Sequence, residues 1–349
     1  MNILYIGDLR PAMTSFHRSQ ALERIGANVI PIDPFNVFQS VFSNPLWGRI
    51  HYYTGYLFFQ KNIENWLKLQ LTKLPSINLV WVDSGELIGP KALTILKSLK
   101  VPVVLYNNDD PTGRRDSNRF KLLLKALPEY DVCVVVRDST YEDLVKKKGL
   151  KNVIQVWRSY DEVAHAPFEN YSDIPQKFKS DIAFIGTWIK DEGRDRFILD
   201  LAKKGVNVSV WGDRWPKSPY WRELTPYFRG GALQGRDYVA AIQGAKLVLG
   251  LLSKGNRDNH TQRSLEVPYA GGLLCAERTS DHLSMYKEME EAVFWKDIDE
   301  CSQIYHTLIK DSVLREKIRE AGMKKVRKLK TGNEDLCKLV LTHLKINVS

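Results

Sequence analysis

Short runs of apolar residues alternate with helical patterns along most of this chain, and that alternation limits the possible folds more than any other feature. The first two runs span Asn2 to Ile6 and Asn28 to Ile32, and a helical stretch reaching about Gly26 separates them. Runs of the same kind recur at residues 79–82, 101–106, 132–136, 181–186, 206–212 and 246–250. Continuous apolar strands that alternate with helices are typical of a parallel sheet covered on both faces. The pattern therefore predicts an α/β protein.

The alternation is interrupted between Asp161 and Lys179, where Pro167 and Pro175 stand among polar and aromatic residues. Such a composition is typical of a linker. A length of 349 residues favours about two domains. We therefore expect doubly wound, Rossmann-like domains at residues 1–165 and 179–333, a linker at 166–178, and a C-terminal helix at about 334–349 that can pack back on the first domain. Such domains bind ligands in a cleft at the carboxyl ends of their strands.

The composition excludes several classes of protein. The sequence has no run of about 18 apolar residues, so we expect no transmembrane helix. Its first residues lack the basic start of a signal peptide. The four cysteines are scattered without paired spacing, which favours reduced core residues over a zinc site or a disulfide framework. We therefore expect a cytoplasmic protein without a metal site.

The formal net charge is +10, and basic residues concentrate on a predicted helix near the C-terminus. Residues 315–330 carry eight Lys or Arg against two Glu. Two interpretations stay open. One is a solvated helix face, and the other is peripheral attraction to the anionic inner face of a membrane, where each cation contributes about 1 kcal/mol. Because no nucleic-acid-binding signature accompanies the charge, nucleic acid is not an expected partner.

One segment in the last third of the chain combines groups suited to a nucleotide. His260, Arg263 and Glu266 are spaced three apart at the start of a predicted short helix that ends at Gly271 and Gly272. This spacing predicts that the three side chains share a helix face. A helix N-terminus attracts anions, and the fork of Arg263 suits phosphate. Glu266 can accept hydrogen bonds from the paired hydroxyls of a ribose.

The order Thr261-Gln262-Arg263-Ser264-Leu265-Glu266, followed by Ala270-Gly271-Gly272 and an apolar strand, resembles the donor-site helix of GT-B glycosyltransferases. The likeness is to the spore-maturation-protein-like branch related to the family-four retaining enzymes. It implies a GT-B fold, in which two Rossmann-like domains face an interdomain cleft, and a nucleoside diphosphate sugar as donor substrate, without a cofactor or a metal. The wider retaining group often has two Glu with seven residues between them. Here Asp258 occupies the first position, with a shorter side chain.

The loop after the first strand of the second domain combines Gly186 with Lys190 and Arg194. A glycine lets a phosphate approach backbone N–H groups. The resemblance implies that a Lys/Arg pair neutralises the diphosphate leaving group, and an ordinary charged surface loop is the alternative. Neither domain contains Gly-x-Gly-x-x-Gly or a Walker loop, which argues against a dehydrogenase or a kinase.

The remaining predicted donor contacts lie in other loops of the second domain. Gly212 suits a tight turn after a strand, and the segment around Arg229 can border the nucleobase. The predicted catalytic cations are Arg194 and Arg263. The full predicted donor-binding set is Gly186, Lys190, Gly212, Arg229, Asp258, His260, Thr261 and Glu266.

Three residues of the first domain are candidates for acceptor chemistry. His17 follows the first strand-to-helix turn, and it either acts as a general base for an acceptor hydroxyl or packs within its helix. Asp109 and Asp110 follow a buried strand on the ligand side of the sheet. They either act as base or sugar contact, or form a polar turn that Pro111 ends.

The segment from Phe35 to Leu74 is rich in aromatic residues. It is interpreted either as a helical insertion that contributes to the core, or as a surface that meets a lipid-linked acceptor or the membrane interface.

These observations together predict a hexosyltransferase-like enzyme of polysaccharide biosynthesis. It would move a sugar from a nucleoside diphosphate donor to a hydroxyl of a glycan, a lipid-linked glycan or another acceptor, with retention if the family-four likeness holds. A catalytically silent GT-B protein for binding or assembly is the first alternative, because the first carboxylate is shortened to Asp258. A sugar-nucleotide epimerase is the second alternative.

Overall fold

The computed structural model describes residues 1–346, and residues 347–349 of the predicted C-terminal helix lie outside the described residues. The chain folds into two compact units. The first unit comprises residues 1–157, residues 255–257 and the C-terminal segment from Asn333. The second unit comprises residues 158–254 and 258–332. Each unit is a sheet covered by helices.

The first unit is built on a parallel sheet. Over residues 1–346 its six strands are β1 (Asn2–Ile6), β2 (Asn28–Ile32), β3 (Leu79–Asp83), β4 (Val103–Asn107), β5 (Val132–Val135) and β6 (Val153–Gln155). They pair in parallel in the order β2-β1-β3-β4-β5-β6. Every residue of β3 and β4 is buried, which explains why these strands are continuous apolar runs. The strand order reverses between β1 and β3, where doubly wound sheets form their ligand crevice.

Helices cover both faces of this sheet. They are α1 (Thr14–Arg24), α2 (Pro34–Val37), α3 (Gln39–Phe42), α4 (Pro45–Thr54), α5 (Gln60–Leu71), α6 (Pro90–Lys97), α7 (Lys121–Ala126) and α8 (Asp138–Glu142). A π-helical turn at Asp143–Lys147 continues α8, and 3-10 turns lie at Leu57–Phe59 and Leu127–Glu129. The aromatic segment between β2 and β3 is therefore helical, as one of its two interpretations predicts.

The second unit has a parallel sheet with Rossmann strand order. Over residues 1–346 its six strands are β7 (Ser180–Ile185), β8 (Val208–Trp211), β9 (Phe228–Gly230), β10 (Ala245–Gly250), β11 (Leu274–Glu277) and β12 (Val293–Trp295). Their order is β12-β11-β10-β7-β8-β9, and all pairs are parallel. The order reverses between β7 and β10, so the expected crevice lies where these two strands end.

The remaining helices follow in chain order. They are α9 (Arg194–Lys203), α10 (Trp221–Leu224), α11 (Gly235–Gly244), α12 (Arg263–Tyr269), α13 (Ser280–Met285), α14 (Ile298–Lys310), α15 (Ser312–Lys328) and α16 (Asn333–His343). The last of them belongs to the first unit, where Arg24 of α1 forms an ion pair with Glu334 at 2.6 Å.

The segment predicted as a linker is part of the second unit, whose first residue is Arg158. The backbone N–H of Phe168 donates to the Gln243 side chain at 2.7 Å, and the Gln243 amide donates back to the Phe168 carbonyl at 3.1 Å. The guanidinium of Arg236 lies 3.9 Å from the centre of the Phe168 ring. The stretch around Pro167 differs from a free linker because α11 supplies partners for its backbone.

Several arginines of the basic helix α15 hydrogen-bond within the second unit. Arg315 donates to the carbonyl oxygen of Leu308 at 2.7 Å, and Arg319 donates to that of Gly271 at 3.2 Å. Some cations of the predicted basic face therefore donate hydrogen bonds to backbone carbonyl oxygens and do not face solvent alone.

The four cysteines, Cys133, Cys275, Cys301 and Cys337, are buried and free. Among residues 1–346, no helix has the length and apolar character needed to cross a membrane.

Candidate functional site

The Arg194 side chain joins the two loops that leave the second sheet at its reversal point. Its Nη1 donates to the carbonyl oxygen of Thr187, after β7, at 3.0 Å, and its Nη2 lies 3.4 Å from that of Leu252, after β10. Nη2 also forms an ion pair with Glu192 at 3.2 Å. Arg194 is 9% exposed. It therefore holds the loops together and puts a positive charge where such sheets bind ligands.

A second arginine, Arg263, opens α12 and places its charge near Arg194. Burial lowers the pKa of Arg194; the Glu192 carboxylate opposes this shift, and the charge of Arg263 adds to it. The Nε atoms of both arginines are buried, and neither has a hydrogen-bond acceptor among residues 1–346. An unsatisfied buried donor costs about 1–3 kcal/mol. A bound anion would satisfy both donors and reduce their repulsion.

Glu266 lies one turn after Arg263 on α12 and is held by two side chains. The Tyr238 hydroxyl, from α11, donates to its Oε2 at 2.6 Å. Nε2 of His165 lies 3.7 Å from its Oε1. Because Nδ1 of His165 accepts the backbone N–H of Asp161 at 2.8 Å, the ring proton of a neutral imidazole is on the nitrogen that faces Glu266. Glu266 is 7% exposed, so its orientation is constrained.

A buried hydrogen-bond relay fixes the first turn of α12. The Ser264 hydroxyl accepts the backbone N–H of Thr261 at 3.0 Å and lies 2.7 Å from Nε2 of His282. Nδ1 of His282 lies 2.6 Å from the carbonyl oxygen of Glu277. Since a carbonyl can only accept, Nδ1 carries the proton and Nε2 accepts from Ser264. Burial lowers the pKa of His282 to about 4, so this imidazole is neutral near pH 7.

His260 lies before α12, which begins at Arg263. The prediction that His260 shares a helix face with Arg263 and Glu266 is therefore wrong. Its Nδ1 lies 2.7 Å from the Asp281 carboxylate, and its Nε2 accepts the backbone N–H of Arg158 at 3.2 Å. Burial lowers its pKa, which favours the neutral ring. Both ring nitrogens thus have partners in the second unit. A contact of His260 with the donor substrate stays a prediction.

Asp258 forms a buried ion pair. Its Oδ1 accepts from Nη2 of Arg158 at 3.0 Å, and the two side chains are 5% and 9% exposed. Thr261, which follows closely, is half-buried. The predicted donor roles of Asp258 and Thr261 stay predictions.

Two predicted glycines touch each other at the ends of β7 and β8. Gly212 adopts a φ of +147°, and a Cβ at this position would lie 2.1 Å from the carbonyl oxygen of Gly186. This close approach requires glycine at position 212. Lys190 is exposed on the loop after β7, and Arg229 is exposed on β9, where its Nε donates to the Ser209 hydroxyl at 3.3 Å.

In the first unit, Asp109 follows β4 and His17 lies on α1. The Asp109 side chain is 28% exposed and lies 3.6 Å from Arg119, which pairs with Glu86 at 2.6 Å. Burial raises the pKa of Asp109, and the negative charge of Glu86 raises it further. The positive charge of Arg119 lowers it, but burial has the larger effect. His17 is half-buried, with its ring centre 6.0 Å from that of Phe16.

Asp110 differs from its neighbour because its carboxylate is fully engaged. Both oxygens accept from Arg257, at 2.6 and 2.7 Å, and Oδ1 also accepts from Thr140 at 3.0 Å. Burial opposes ionisation of Asp110, but these donors hold its pKa below the usual value. A base role for Asp110 would require it to leave these partners, so Asp109 is the more accessible of the two carboxylates.

The corresponding reversal point of the first sheet contains a buried ion pair that the sequence analysis missed. Arg18 of α1 pairs with Asp83 at the end of β3, and its guanidinium lies 3.6 Å from the centre of the Tyr106 ring. The Tyr5 hydroxyl lies 2.9 Å from the same carboxylate. The first unit therefore pairs a single arginine with a carboxylate at this position, and Nε and Nη2 of Arg18 are also buried without an acceptor among residues 1–346. The second unit differs because it brings two arginines together.

Residues 194–334 match a family model described as "Glycosyl transferase-like", which covers α9 to the start of α16. No curated protein matches the sequence significantly.

Solved structures match almost the whole chain. The HepE protein of Anabaena in complex with UDP has a TM-score of 0.67 and 11% identity, over 99% of this chain and 100% of that chain. Sucrose-phosphate synthase from Thermosynechococcus elongatus has a TM-score of 0.67 and 10% identity, over 99% and 98%. A UDP-forming α,α-trehalose-phosphate synthase from Burkholderia xenovorans, in complex with glucose-6-phosphate, has a TM-score of 0.67 and 12% identity, over 99% and 100%.

The fold is GT-B. The α/β class and the two Rossmann-like domains expected from the sequence are confirmed. At these low identities the structural similarity shows the fold alone. It does not test the resemblance to the spore-maturation-protein-like branch.

Four side chains of this GT-B fold support the candidate site but were absent from the sequence analysis: Tyr238, His165, Asp281 and His282. The first two contact Glu266. Asp281 contacts His260 before α12, and His282 contacts Ser264 in the first turn of α12. Asp281 and His282 are adjacent in sequence, which is the only signal that could have drawn attention to them. The others are too far from residue 266 along the chain for spacing to reveal them.

The neutral, buried His282 predicts a pH dependence of stability. In the unfolded chain a histidine has a pKa of about 6.5. Since the folded pKa is lower, the unfolded state binds more protons below pH 6.5, and stability falls as the pH falls from about 6.5 to 4, by up to about 3 kcal/mol. The lowered pKa of His260 adds to this effect. Urea unfolding at several pH values should show a shallower acid-side slope for His282→Gln than for the wild type. Equal slopes in the two proteins would contradict the assignment of a neutral His282.

Proposed function

We propose that this protein is a glycosyltransferase that moves a hexose-like sugar from a nucleoside diphosphate donor to a hydroxyl acceptor. The observation that carries the proposal is that two cations, Arg194 and Arg263, lie close together at the reversal point of the second sheet. Each also has a buried Nε without an acceptor among residues 1–346. A diphosphate combines high charge with several acceptor oxygens, so it can satisfy two guanidinium groups at once. The match of residues 194–334 to a glycosyl transferase-like family agrees with this assignment.

Glu266 would bind the ribose of the same nucleotide. It follows Arg263 by three residues on α12, which is a rise of about 4.5 Å along the helix axis. That separation is short enough for one nucleotide to reach both side chains. Tyr238 would hold one carboxylate oxygen of Glu266 and leave lone pairs for the ribose hydroxyls.

Arg194 and Arg263 would stabilise the departing diphosphate, whose charge grows as the glycosidic bond breaks. They would supply the positive charge that a divalent ion gives in other transferases, so we propose transfer without a metal. A retaining outcome and membership of the spore-maturation-protein-like branch belong to this proposal as well, since they rest on the motif from Thr261 to Glu266.

Asp109 is our preferred base or sugar contact in the first unit, because its raised pKa and partial exposure suit proton transfer. His17 is the second candidate. The acceptor would be a glycan, a lipid-linked glycan or another hydroxyl compound of polysaccharide biosynthesis. A structural neighbour in complex with UDP-glucose supports a nucleotide-sugar donor, and neighbours in complex with glucose or glucose-6-phosphate support a sugar acceptor.

One observation favours a second candidate, a nucleotide-binding protein without transferase activity. The Asp258 carboxylate, at the position where the retaining group often has Glu, is paired with Arg158 instead of free for a sugar. Such a protein would bind the donor through Arg194, Arg263 and Glu266 and would release no nucleoside diphosphate in the presence of any acceptor.

Glu266→Ala should weaken binding of free UDP at least about tenfold, because each hydrogen bond to a charged group contributes about 1.5–3 kcal/mol. The measurement is isothermal titration calorimetry on a variant whose circular dichroism matches the wild type. Glu290→Ala changes an exposed carboxylate of the same unit and should leave affinity unchanged. Wild-type affinity in a folded Glu266→Ala protein would rule out the ribose assignment.

Arg263→Ala should lower turnover about 100-fold or more at saturating donor, as when an oxyanion donor is removed. Arg263→Lys should recover only part of the loss, because lysine lacks the planar fork. Arg222→Ala, which removes an exposed arginine of the second unit, is the matched control. Arg194→Ala is a less specific test, since it also opens the loops that Arg194 joins. If Arg263→Ala raises only KM, Arg263 binds donor without stabilising the transition state.

A chelator should leave turnover largely intact, because the arginines replace a divalent ion in the proposed mechanism. The assay compares steady-state rates with and without EDTA. Loss of activity that manganese restores would overturn the metal-free mechanism and would turn attention to Asp109.

A further inference from the structure

Large apolar side chains are exposed on the helical segment between β2 and β3 of the first unit. Their exposed fractions are 65% for Leu46, 53% for Trp47, 55% for Tyr53, 53% for Leu57 and 68% for Phe58. Single exposed apolar residues are ordinary, but a contiguous group of them marks an interaction site. These five residues form what we term the aromatic surface.

The members of the aromatic surface lie on neighbouring elements. Leu46 and Tyr53 are seven residues apart on α4, which puts them on one face of the helix. The Trp47 ring stacks on His51 at 6.1 Å, and the His51 ring lies 5.1 Å from Phe59 in the following 3-10 turn. Phe59 is buried and anchors that turn against α4.

A strained turn directs the last two members outward. Gly55 and Tyr56 both have left-handed backbone angles, with φ of +65° and +59°. Such a conformation costs a tyrosine about 1–2 kcal/mol. Burial of Tyr56 and Phe59 holds the turn in place and leaves Leu57 and Phe58 in solvent.

The charged side chains of the segment that carries the aromatic surface are all basic. The sequence from Pro34 to Ile63 contains no Asp or Glu. Arg49 and Lys61 of this stretch are exposed. The nearest acidic side chain in sequence, Glu64, lies 4.0 Å from the Lys61 ammonium. In space, Asp116 accepts from the Tyr52 hydroxyl of α4 at 2.8 Å, but it is buried and pairs with Arg115 at 3.1 Å. The segment itself therefore adds no acidic group that would repel an anionic partner.

We propose that the aromatic surface docks the first unit on the surface of an anionic lipid membrane. Trp and Tyr are enriched where protein meets the headgroup region, and exposed Leu and Phe can enter the acyl boundary. Arg49 and Lys61 add attraction to anionic headgroups. A protein partner would more often need a shaped pocket for such side chains, whereas a membrane accepts them without one. The proposal is independent of the transferase reaction.

The basic helix α15 of the second unit is the other candidate for such contact. It carries exposed lysines, including Lys317, Lys324 and Lys328. Within the described residues of α15, only Val313 is a large apolar side chain with high exposure. Charge without an apolar face gives weak, salt-sensitive attraction, so α15 would at most assist the aromatic surface.

The test is sedimentation of the full-length protein with vesicles, of either phosphatidylcholine alone or equal parts phosphatidylcholine and phosphatidylglycerol. The wild type should bind the anionic vesicles. Trp47→Ser with Phe58→Ser should lower the partition coefficient about tenfold or more, because two apolar anchors are lost. Both side chains are exposed, so thermal unfolding should match the wild type. Val313→Ser with Leu339→Ser removes two exposed apolar side chains elsewhere and should bind like the wild type.

Charge variants separate the two candidate surfaces. Arg49→Glu with Lys61→Glu should weaken binding to anionic vesicles, and Lys324→Glu with Lys328→Glu should change it less. The proposal is overturned if the wild type does not bind anionic vesicles or if the Trp47 and Phe58 variant binds normally. It is also overturned if only the α15 variant loses binding, or if the aromatic surface instead mediates a dimer, detected by sedimentation equilibrium and lost in the Trp47 and Phe58 variant.

Discussion

The buried guanidinium of Arg194 is the interaction on which the candidate site depends. It ties the loop after β7 to the loop after β10, at the point where the strand order reverses. Burying a cation is costly unless partners compensate. Glu192 compensates in part, but Arg263 acts in the opposite direction and lowers the pKa of Arg194. Two cations thus lie close together with buried donors that lack acceptors among residues 1–346, and an anion would satisfy these donors.

The side chains around α12 are organised by neutral histidines. His282 and His260 both have lowered pKa values because they are buried. Each accepts one hydrogen bond and donates another. A neutral imidazole can accept and donate at once, which a lysine or an arginine cannot do. This lets the segment before α12 be fixed in place without adding charge next to Arg263. His165 occupies a similar place beside Glu266. Rigid support of this kind lowers the cost of ordering the site when ligand binds.

The two units treat the same position of a doubly wound sheet differently. In the first unit, Arg18 and Asp83 neutralise each other between β1, β3 and α1, with Tyr5 and Tyr106 around them. One cation faces one carboxylate there, although Nε and Nη2 of Arg18 are buried without an acceptor among residues 1–346. In the second unit, the corresponding position has two arginines. The second cation supports the assignment of the donor nucleotide to the second unit. In the first unit, the Asp109 carboxylate is more accessible than that of Asp110.

The sequence by itself determined the fold class, because apolar runs of strand length separated by helical patterns can bury both faces only in a parallel, helix-covered sheet. It also predicted the bounds of β1 and β2, Asn2–Ile6 and Asn28–Ile32, because each strand coincides with one of the short runs read from the sequence. It identified Arg263 and Glu266 as neighbours, because residues three apart on a helix lie on the same face.

The start of α12 was misjudged by three residues, since the hydrogen bonds of His260 to Asp281 and Arg158 hold it outside the helix. Tertiary structure alone decided the partners of each charge: Arg158 for Asp258, Arg257 for Asp110, Tyr238 for Glu266. The physical reason is that an ion pair or a buried hydrogen bond depends on distance in space, and residues 28 to 147 positions apart leave no periodic signal in the chain.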